Sequence, residues 1–191
     1  RNLAVMKIAS FRYFQEPGPF YSFIDKVFEV INAKNINNLI LDLRDNYGGS
    51  GFCSSHLFSY LETSPVPWVT RTSGYSLLEE PIPMAEKNHF SGKLFVLING
   101  GCFSATGLLS SLLKFHKIGT FIGEQTGGSY VTNAPALSYN PLETRLNLMV
   151  GMMSNAAAVT GFSDKDGIMP DYYVEPDIDD LMKGKDTVKE F

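Results

Sequence analysis

The sequence predicts an α/β domain built on a mostly parallel sheet. Short apolar segments of strand character alternate with amphipathic helical segments, the pattern of parallel strands joined by crossover helices. The runs Leu39–Leu43 and Leu94–Ile98 are almost continuously apolar, which suits strands buried on both faces. Both runs end in a polar loop with a glycine pair, and each loop opens directly into a helix.

In chain order, Leu3–Ala9 reads as a strand and Phe11–Pro19 as a loop, because Pro17, Gly18 and Pro19 cluster there. Phe20, Phe23, Ile24, Val27, Phe28 and Ile31 recur at helical spacing and predict an amphipathic helix, stopped by the polar stretch Asn35–Asn38. The strand Leu39–Leu43 leads into the loop Arg44-Asp45-Asn46-Tyr47-Gly48-Gly49-Ser50-Gly51, and a helix is predicted over Phe52–Leu61. Residues 63–92 carry Pro65, Pro67, Pro81 and Pro83 and read as a long surface excursion with one strand at Trp68–Arg71, the kind of segment that forms lids. Leu94–Ile98 is the next core strand. After Asn99-Gly100-Gly101-Cys102-Phe103-Ser104 comes a helix with Ala105, Leu108, Leu109, Leu112 and Leu113 on one face. Thr120–Ile122 is a short third core strand, and Gly123–Gly128 is a loop. Ala136–Tyr139 and Arg145–Val150 form a predicted hairpin about Pro141. A short helix with Ile178, Leu181 and Met182 is expected to dock on the surface.

The chain has 191 residues, enough for one domain with its own core and no need of a disulfide or metal. We read residues 1–191 as a single core domain, a fragment of a longer chain lacking an N-terminal region. A net charge of −4, evenly scattered, argues against nucleic acid or an anionic membrane surface as partner. No apolar run approaches the roughly 18 residues of a membrane span. Two cysteines exclude a disulfide scaffold, and without paired C-x-x-C spacing no structural zinc site is expected.

The two glycine loops are where chemistry is expected. Ligands of open α/β sheets bind beyond the carboxyl ends of the strands, and helix N-termini there present unpaired N–H groups. Two such loops side by side would make an oxyanion site, with Ser104 at the start of its helix as nucleophile. The plainer reading is that Ser104 caps its helix, since serine is strongly preferred at that position, and spacing alone favours it.

The residues here resemble a known family. Leu41-Asp42-Leu43-Arg44-Asp45-Asn46-Tyr47-Gly48-Gly49 is similar to the D-L-R-x-N-x-G-G signature of the S41 peptidases, the tail-specific and tricorn-core-like serine proteases. Val96–Asn99 followed by Phe103-Ser104-Ala105 resembles their strand, turn and S-A nucleophile. Ile122–Gly128 resembles the G-E-x-T-x-G block, and Gly167-Ile168-Met169-Pro170-Asp171 the late G-(I/V)-x-P-D block. All of them stand in the family's order between Leu39 and Asp171. The resemblance implies a ClpP/crotonase-like superhelix of β-β-α units. It also implies Ser104 as nucleophile, Ala105 N–H as one oxyanion donor and a glycine of the pair Gly48 and Gly49 as the other, with Arg44 and Asn46 shaping the loop.

One departure concerns the general base. In the tail-specific branch a lysine follows G-E-x-T-x-G, but Ser129 stands there, and the glutamine that follows in that branch is matched only by Asn133. A serine hydroxyl cannot replace an amine base. The tricorn-like branch resembled here uses a histidine that lies upstream of the domain, so the base is expected on sequence before Arg1. Of the three histidines present, His56 follows the first glycine loop and is a candidate base, with His89 behind it. His116 ends the Ser104 helix, roughly 18 Å from its start at about 1.5 Å per residue. Asp164 and Asp166 precede the last block, where that branch places its acidic residue. The alternative is an ordinary polar turn. Cys102 is the rival nucleophile and reads more simply as a packed small residue. Cys53 and Cys102 flank the two loops, so a disulfide between them stays open. Phe95, Phe103, Leu108, Met149, Met152 and Met153 are candidates for an apolar pocket, though core packing is the simpler account.

The function implied is a serine endopeptidase that hydrolyses peptide bonds through an acyl-enzyme on Ser104. No cofactor or metal is called for. The expected partner is a peptide or protein substrate, with homo-oligomerisation open and an extracytoplasmic (periplasmic or cell-surface) location implied by the family. The alternative is a catalytically incomplete module that binds peptides or apolar ligands. A crotonase-type acyl-CoA enzyme would rest on fold alone, and the D-L-R-x-N-x-G-G block argues against it.

Overall fold

The computed structural model of the chain describes residues 2–72, 81–82, 85, 87–133, 136–141 and 146–191. Its centre is a five-stranded, all-parallel sheet. The strands are β1 (Leu3–Lys7), β2 (Asn38–Asp42), β6 (Lys93–Ile98), β7 (Thr120–Gly123) and β12 (Tyr172–Tyr173), in the order β1-β2-β6-β7-β12. Three helices lie on one face: α1 (Gly18–Ala33), α2 (Gly51–Ser59) and α3 (Ala105–Phe115). Against them pack alternate sheet residues Met6, Leu39, Leu41, Leu94, Val96, Ile98 and Phe121, all buried with Phe20, Ile24, Phe28, Leu57, Leu109 and Leu112 from the helices. The predicted α/β class with a mostly parallel sheet is what the chain adopts.

Each helix end has a local cause. Pro17 and Pro19 place the chain for α1, since proline's fixed φ suits a first turn. Its far end is a Schellman motif with Asn35 left-handed at φ 49°. Asn35 N–H donates to Asn32 and Ile36 N–H to Ile31. α3 ends the same way, with Lys117 at φ 59° and Ile118 N–H on Leu113.

The far face of the sheet differs from the expectation of strands buried on both sides. Leu3 and Val5 are 41% and 53% exposed, and Ile40 and Phe95 only half-buried. Among the described residues no long helix crosses back over this side. α5 (Thr187–Glu190) lies against it, seating Val188 against Leu97 and Ile122. A cavity of about 490 Å³ remains there, lined by Leu3, Ile40, Phe95, Ile122, Tyr172 and Phe191.

The rest is antiparallel. β4 (Val69–Thr72), β11 (Ser154–Ala157) and β8 (Val131–Asn133) form a small sheet with β11 in the middle. β3 (Val66–Pro67) pairs with β5 (Pro81–Ile82). The hairpin forms from β9 (Ala136–Tyr139) and β10 (Leu148–Gly151), so its second strand starts three residues later than predicted, and Arg145 lies outside the described residues. Much of the predicted excursion, 73–80 with 83, 84 and 86, also lies outside them. α4 (Ile178–Met182) is the expected surface helix.

Candidate active site

The two glycine loops meet beyond the carboxyl ends of β2 and β6, held together by short-range bonds. Asn99 Oδ1 accepts the N–H of Asp45 at 2.9 Å and that of Gly101 at 3.0 Å, while its Nδ2 donates to Asp45 Oδ1 at 2.9 Å. Asn46, fully buried, donates to Ile8 O and accepts the Gly48 N–H, both at 2.9 Å, and its carbonyl receives Phe103 N–H at 3.1 Å. Phe11 bridges to the loop, its N–H on Gly48 O and its carbonyl receiving Ser50 N–H.

Glycine at 48 is dictated by proximity. A Cβ there would stand 2.7 Å from both Phe103 O and Ser104 Cβ and 2.9 Å from Ala105 N, and φ is +91° besides. Gly49, at φ +143°, lies so close to the Phe11 backbone that no side chain fits. The bare backbone of this loop therefore faces Ser104 directly. The Gly48 N–H is spent on Asn46; the N–H groups of Gly49 and Ala105 have no partner among the described residues.

Ser104 itself adopts φ 54°, ψ −124°, a conformation that costs a non-glycine residue about 1–3 kcal/mol. It occupies the N-cap position of α3, yet its side chain makes no capping bond. Ordinary capping, favoured by the sequence, is therefore not what this serine does. Its Oγ instead receives a 3.3 Å bond from Thr132 Oγ1 on β8.

The segment Thr126–Ser129 crosses over the start of α3. Gly128 N–H donates to Cys102 O at 2.8 Å, and a Cβ on Gly107 would stand 2.5 Å from Ser129 O. Thr126 Oγ1 accepts Ile168 N–H and donates to Gly128 O, both at 2.7 Å, which joins the second-last and last motif blocks. Ser129, at the position of the family lysine, turns its Oγ onto the start of β8, accepting from Val131 N and donating to Val131 O. Asp171 of the last block is structural. It accepts Phe121 N–H at 2.8 Å and pairs with Lys114 at 2.6 Å; burial would raise its pKa, but these two partners outweigh it and hold the carboxyl low.

None of the three histidines is hydrogen-bonded to Ser104. His56 turns away to α1, with Nε2 2.7 Å from Asp25 Oδ1 and its ring stacked on Tyr21 at 4.3 Å. Asp25 also receives Tyr60 OH at 2.7 Å. His116 pairs with Glu62 at 3.5 Å. His89 lines a cavity beside Asn37 and Gly92, at the N-terminal ends of β2 and β6, opposite the glycine loops. Asp164 and Asp166 lie on an exposed turn shaped by Ser163 Oγ and the Lys165 N–H, and neither is hydrogen-bonded to a histidine.

Both cysteines are buried and free, so the open disulfide is not formed. Burial pushes the Cys102 thiol up to about 11, and its Sγ lies 3.1 Å from Leu43 O, a packed group and not a nucleophile. The candidate apolar pocket is not assembled either. Phe95 lines the far-face cavity, Leu108 is core, and Met149 and Met152 are exposed near the β9–β10 hairpin. Met153 is half-buried between β10 and β11, and Phe103 stays by the site, 40% exposed and stacked on Tyr47 with centroids 6.1 Å apart.

Arg44 is the residue whose surroundings the sequence concealed. Beyond Asp42 it grips Asp186, 142 residues away. Among the described residues no cluster of three or more His, Cys, Asp or Glu side chains is placed to hold a metal. Among them, too, no helix is long and apolar enough to cross a membrane.

The model of peptidase family S41 matches residues 2–174. Mature CPAF superposes with a TM-score of 0.74 at 16% identity, over 94% of this chain and 48% of its own. The photosystem II D1 C-terminal processing protease gives 0.65 at 19% identity, over 92% and 43%. A protein of Parabacteroides merdae, described as a candidate peptidase, gives 0.67 at 21% identity, over 99% and 59%. At these identities the likeness is one of fold, and the chain spans about half the length of the structures it matches. A search of curated proteins gave no significant match. The family model covers nearly the whole chain and the parallel sheet carries its motif blocks in order: the chain belongs to peptidase family S41.

Proposed function

We propose that this chain carries the nucleophile and oxyanion parts of a serine peptidase, with Ser104 attacking a peptide carbonyl. The observation that carries the reading is the pairing of a left-handed, uncapped Ser104 with a glycine whose bare Cα lies against it. A serine held on such a strained strand-to-helix turn projects its hydroxyl out of the loop. The unpartnered N–H groups of Gly49 and Ala105 supply the donors for the developing oxyanion.

In this reading Ser104 Oγ bonds to the carbonyl carbon while its proton passes to a base. Collapse breaks the C–N bond, the amine leaves with a proton, and water then hydrolyses the resulting ester to free acid and serine. Ser104 has only Thr132 as a side-chain partner among the described residues. We therefore assign the base to a segment outside them.

The test is labelling of the full-length protein with a fluorophosphonate, followed by mass spectrometry of the modified peptide. Label on Ser104 that vanishes in Ser104→Ala supports the peptidase. A folded full-length protein that takes no label favours the binding module, a reading that draws on Ser129 standing where the family has its lysine.

A further inference from the structure

Residues 177–191 lie beyond the family match, yet one of them reaches the strand end from which the first glycine loop hangs. Asp186 precedes α5. Its Oδ1 accepts Arg44 Nη1 at 2.7 Å and its Oδ2 accepts Arg44 Nη2 at 2.6 Å. Oδ1 also caps α5, accepting Lys189 N–H at 3.1 Å. Asp42 takes the other edge of the guanidinium, Nε to Oδ1 at 2.8 Å and Nη2 to Oδ2 at 2.7 Å. The Arg44 side chain is only 14% exposed between them.

The two carboxylates do different things. Asp42 is two residues from Arg44 and ties it to its own strand. Asp186 ties it to another element, itself anchored by the buried Val188 in the far-face cluster. Both carboxylates grip the guanidinium with two prongs, so Asp42 orients it against its own strand and Asp186 fixes it to the start of α5. From Arg44 the backbone runs through left-handed Asp45 at φ 62° and buried Asn46 to Gly48, which abuts Ser104.

We propose that Asp186 is a positioning residue for the Gly48–Gly49 loop, acting through Arg44 to keep that loop in register with Ser104. The inference rests on the reading of Ser104 as nucleophile. Asp186 touches neither Ser104 nor the glycines, and its effect is on their alignment. Removing its charge leaves Asp42 and Arg44 as a neutral pair, so the variants are expected to fold.

The experiment uses the full-length protein and the variants Asp186→Asn and Asp186→Glu. The maximal fluorophosphonate inactivation rate should fall about tenfold in Asp186→Asn, the scale of one hydrogen bond to a charged group, with the half-saturating concentration unchanged. Asp186→Glu should recover most of the rate. Amide hydrogen exchange should quicken at residues 46–49 and 101–105 while α1 stays protected. A lowered thermal midpoint with uniformly faster exchange and an unchanged inactivation rate would mean a merely structural role and overturn the proposal. Exchange and labelling equal to wild type would overturn it as well. If wild-type protein takes no label, the peptidase reading fails, and local exchange in Asp186→Asn alone decides whether Asp186 positions the loop.

Discussion

Thr132 Oγ1 donates to Ser104 Oγ at 3.3 Å, so an edge strand of the small antiparallel sheet touches the residue that opens α3. The bond fixes the serine oxygen from one side and leaves the serine proton free to point elsewhere. Thr132→Val removes it without changing shape much. The fluorophosphonate labelling rate is expected to fall about fivefold, for a loss of about 1 kcal/mol, with Thr132→Ser near wild type. Equal rates in all three would show that the bond does not orient Ser104.

Gly48→Ala tests the loop contact. The new methyl would enter the space in front of Ser104 Cβ and Ala105 N at 2.7 and 2.9 Å, at a φ of +91° that alanine resists. Labelling should drop by about 100–1,000-fold, as when an oxyanion donor is lost, and the chain should lose roughly 1–3 kcal/mol of stability from strain. Circular dichroism and urea unfolding separate the two effects. Retained labelling would mean that the loop gives way and that the contact is not needed.

His56→Phe keeps a ring against Tyr21 but cuts the bond to Asp25. Labelling of Ser104 should stay within about twofold of wild type, and stability should fall by roughly 1 kcal/mol, the usual worth of such a bond. A large loss of labelling in the folded variant would return His56 to the site as base.

The thiol of Cys102 is raised by burial to about 11. At about pH 8 it is protonated and inaccessible, and the reactive form is the thiolate. Iodoacetamide should leave both cysteines unmodified in the native chain and alkylate both in urea. Native-state modification of Cys102 would contradict its assignment as packing.

Arg44, and secondarily the Lys189 N–H, hold Asp186 down at about 2 against an ordinary 3.8. A carboxyl lowered on folding stabilises the fold above its unfolded pKa, and the contribution is lost as pH falls through the folded value. Urea midpoints of wild type and Asp186→Asn should therefore differ near neutral pH and converge between about pH 4 and 2. A gap that persists below about pH 2 would mean that the charge is not what distinguishes them.

Much of the scaffold could be read because the relevant forces are local. Leu39, Leu41 and Leu43, and the spacing of Phe20, Ile24, Phe28 and Ile31, report burial on the helix side directly, while the run Leu39–Leu43 overstates the burial of Ile40 on the far face. β8 and β11 could not be read: Val131–Asn133 is too short for a period, and Ser154–Ala157 has none. The site residues divide the same way. Gly48 and Ser104 stood out by motif, but a sequence cannot show that Ser104 is left-handed and uncapped, since N-cap and nucleophile look alike in letters. His56 and Arg44 were opaque for a different reason. Their deciding partners, Asp25 and Asp186, are 31 and 142 residues away, and polar pairs of that separation carry no local signal.

α3 begins and ends on a left-handed residue that is not glycine: Ser104 at φ 54° and Lys117 at φ 59°. The first strain has a use in the reading above; the second has none, because Lys117 only turns the chain toward Ile118. Such a conformation costs an ordinary residue about 1–2 kcal/mol, and glycine avoids most of it. Lys117→Gly thus offers headroom for engineering: the helix can be made more durable from its far end while the tension at Ser104 is left untouched.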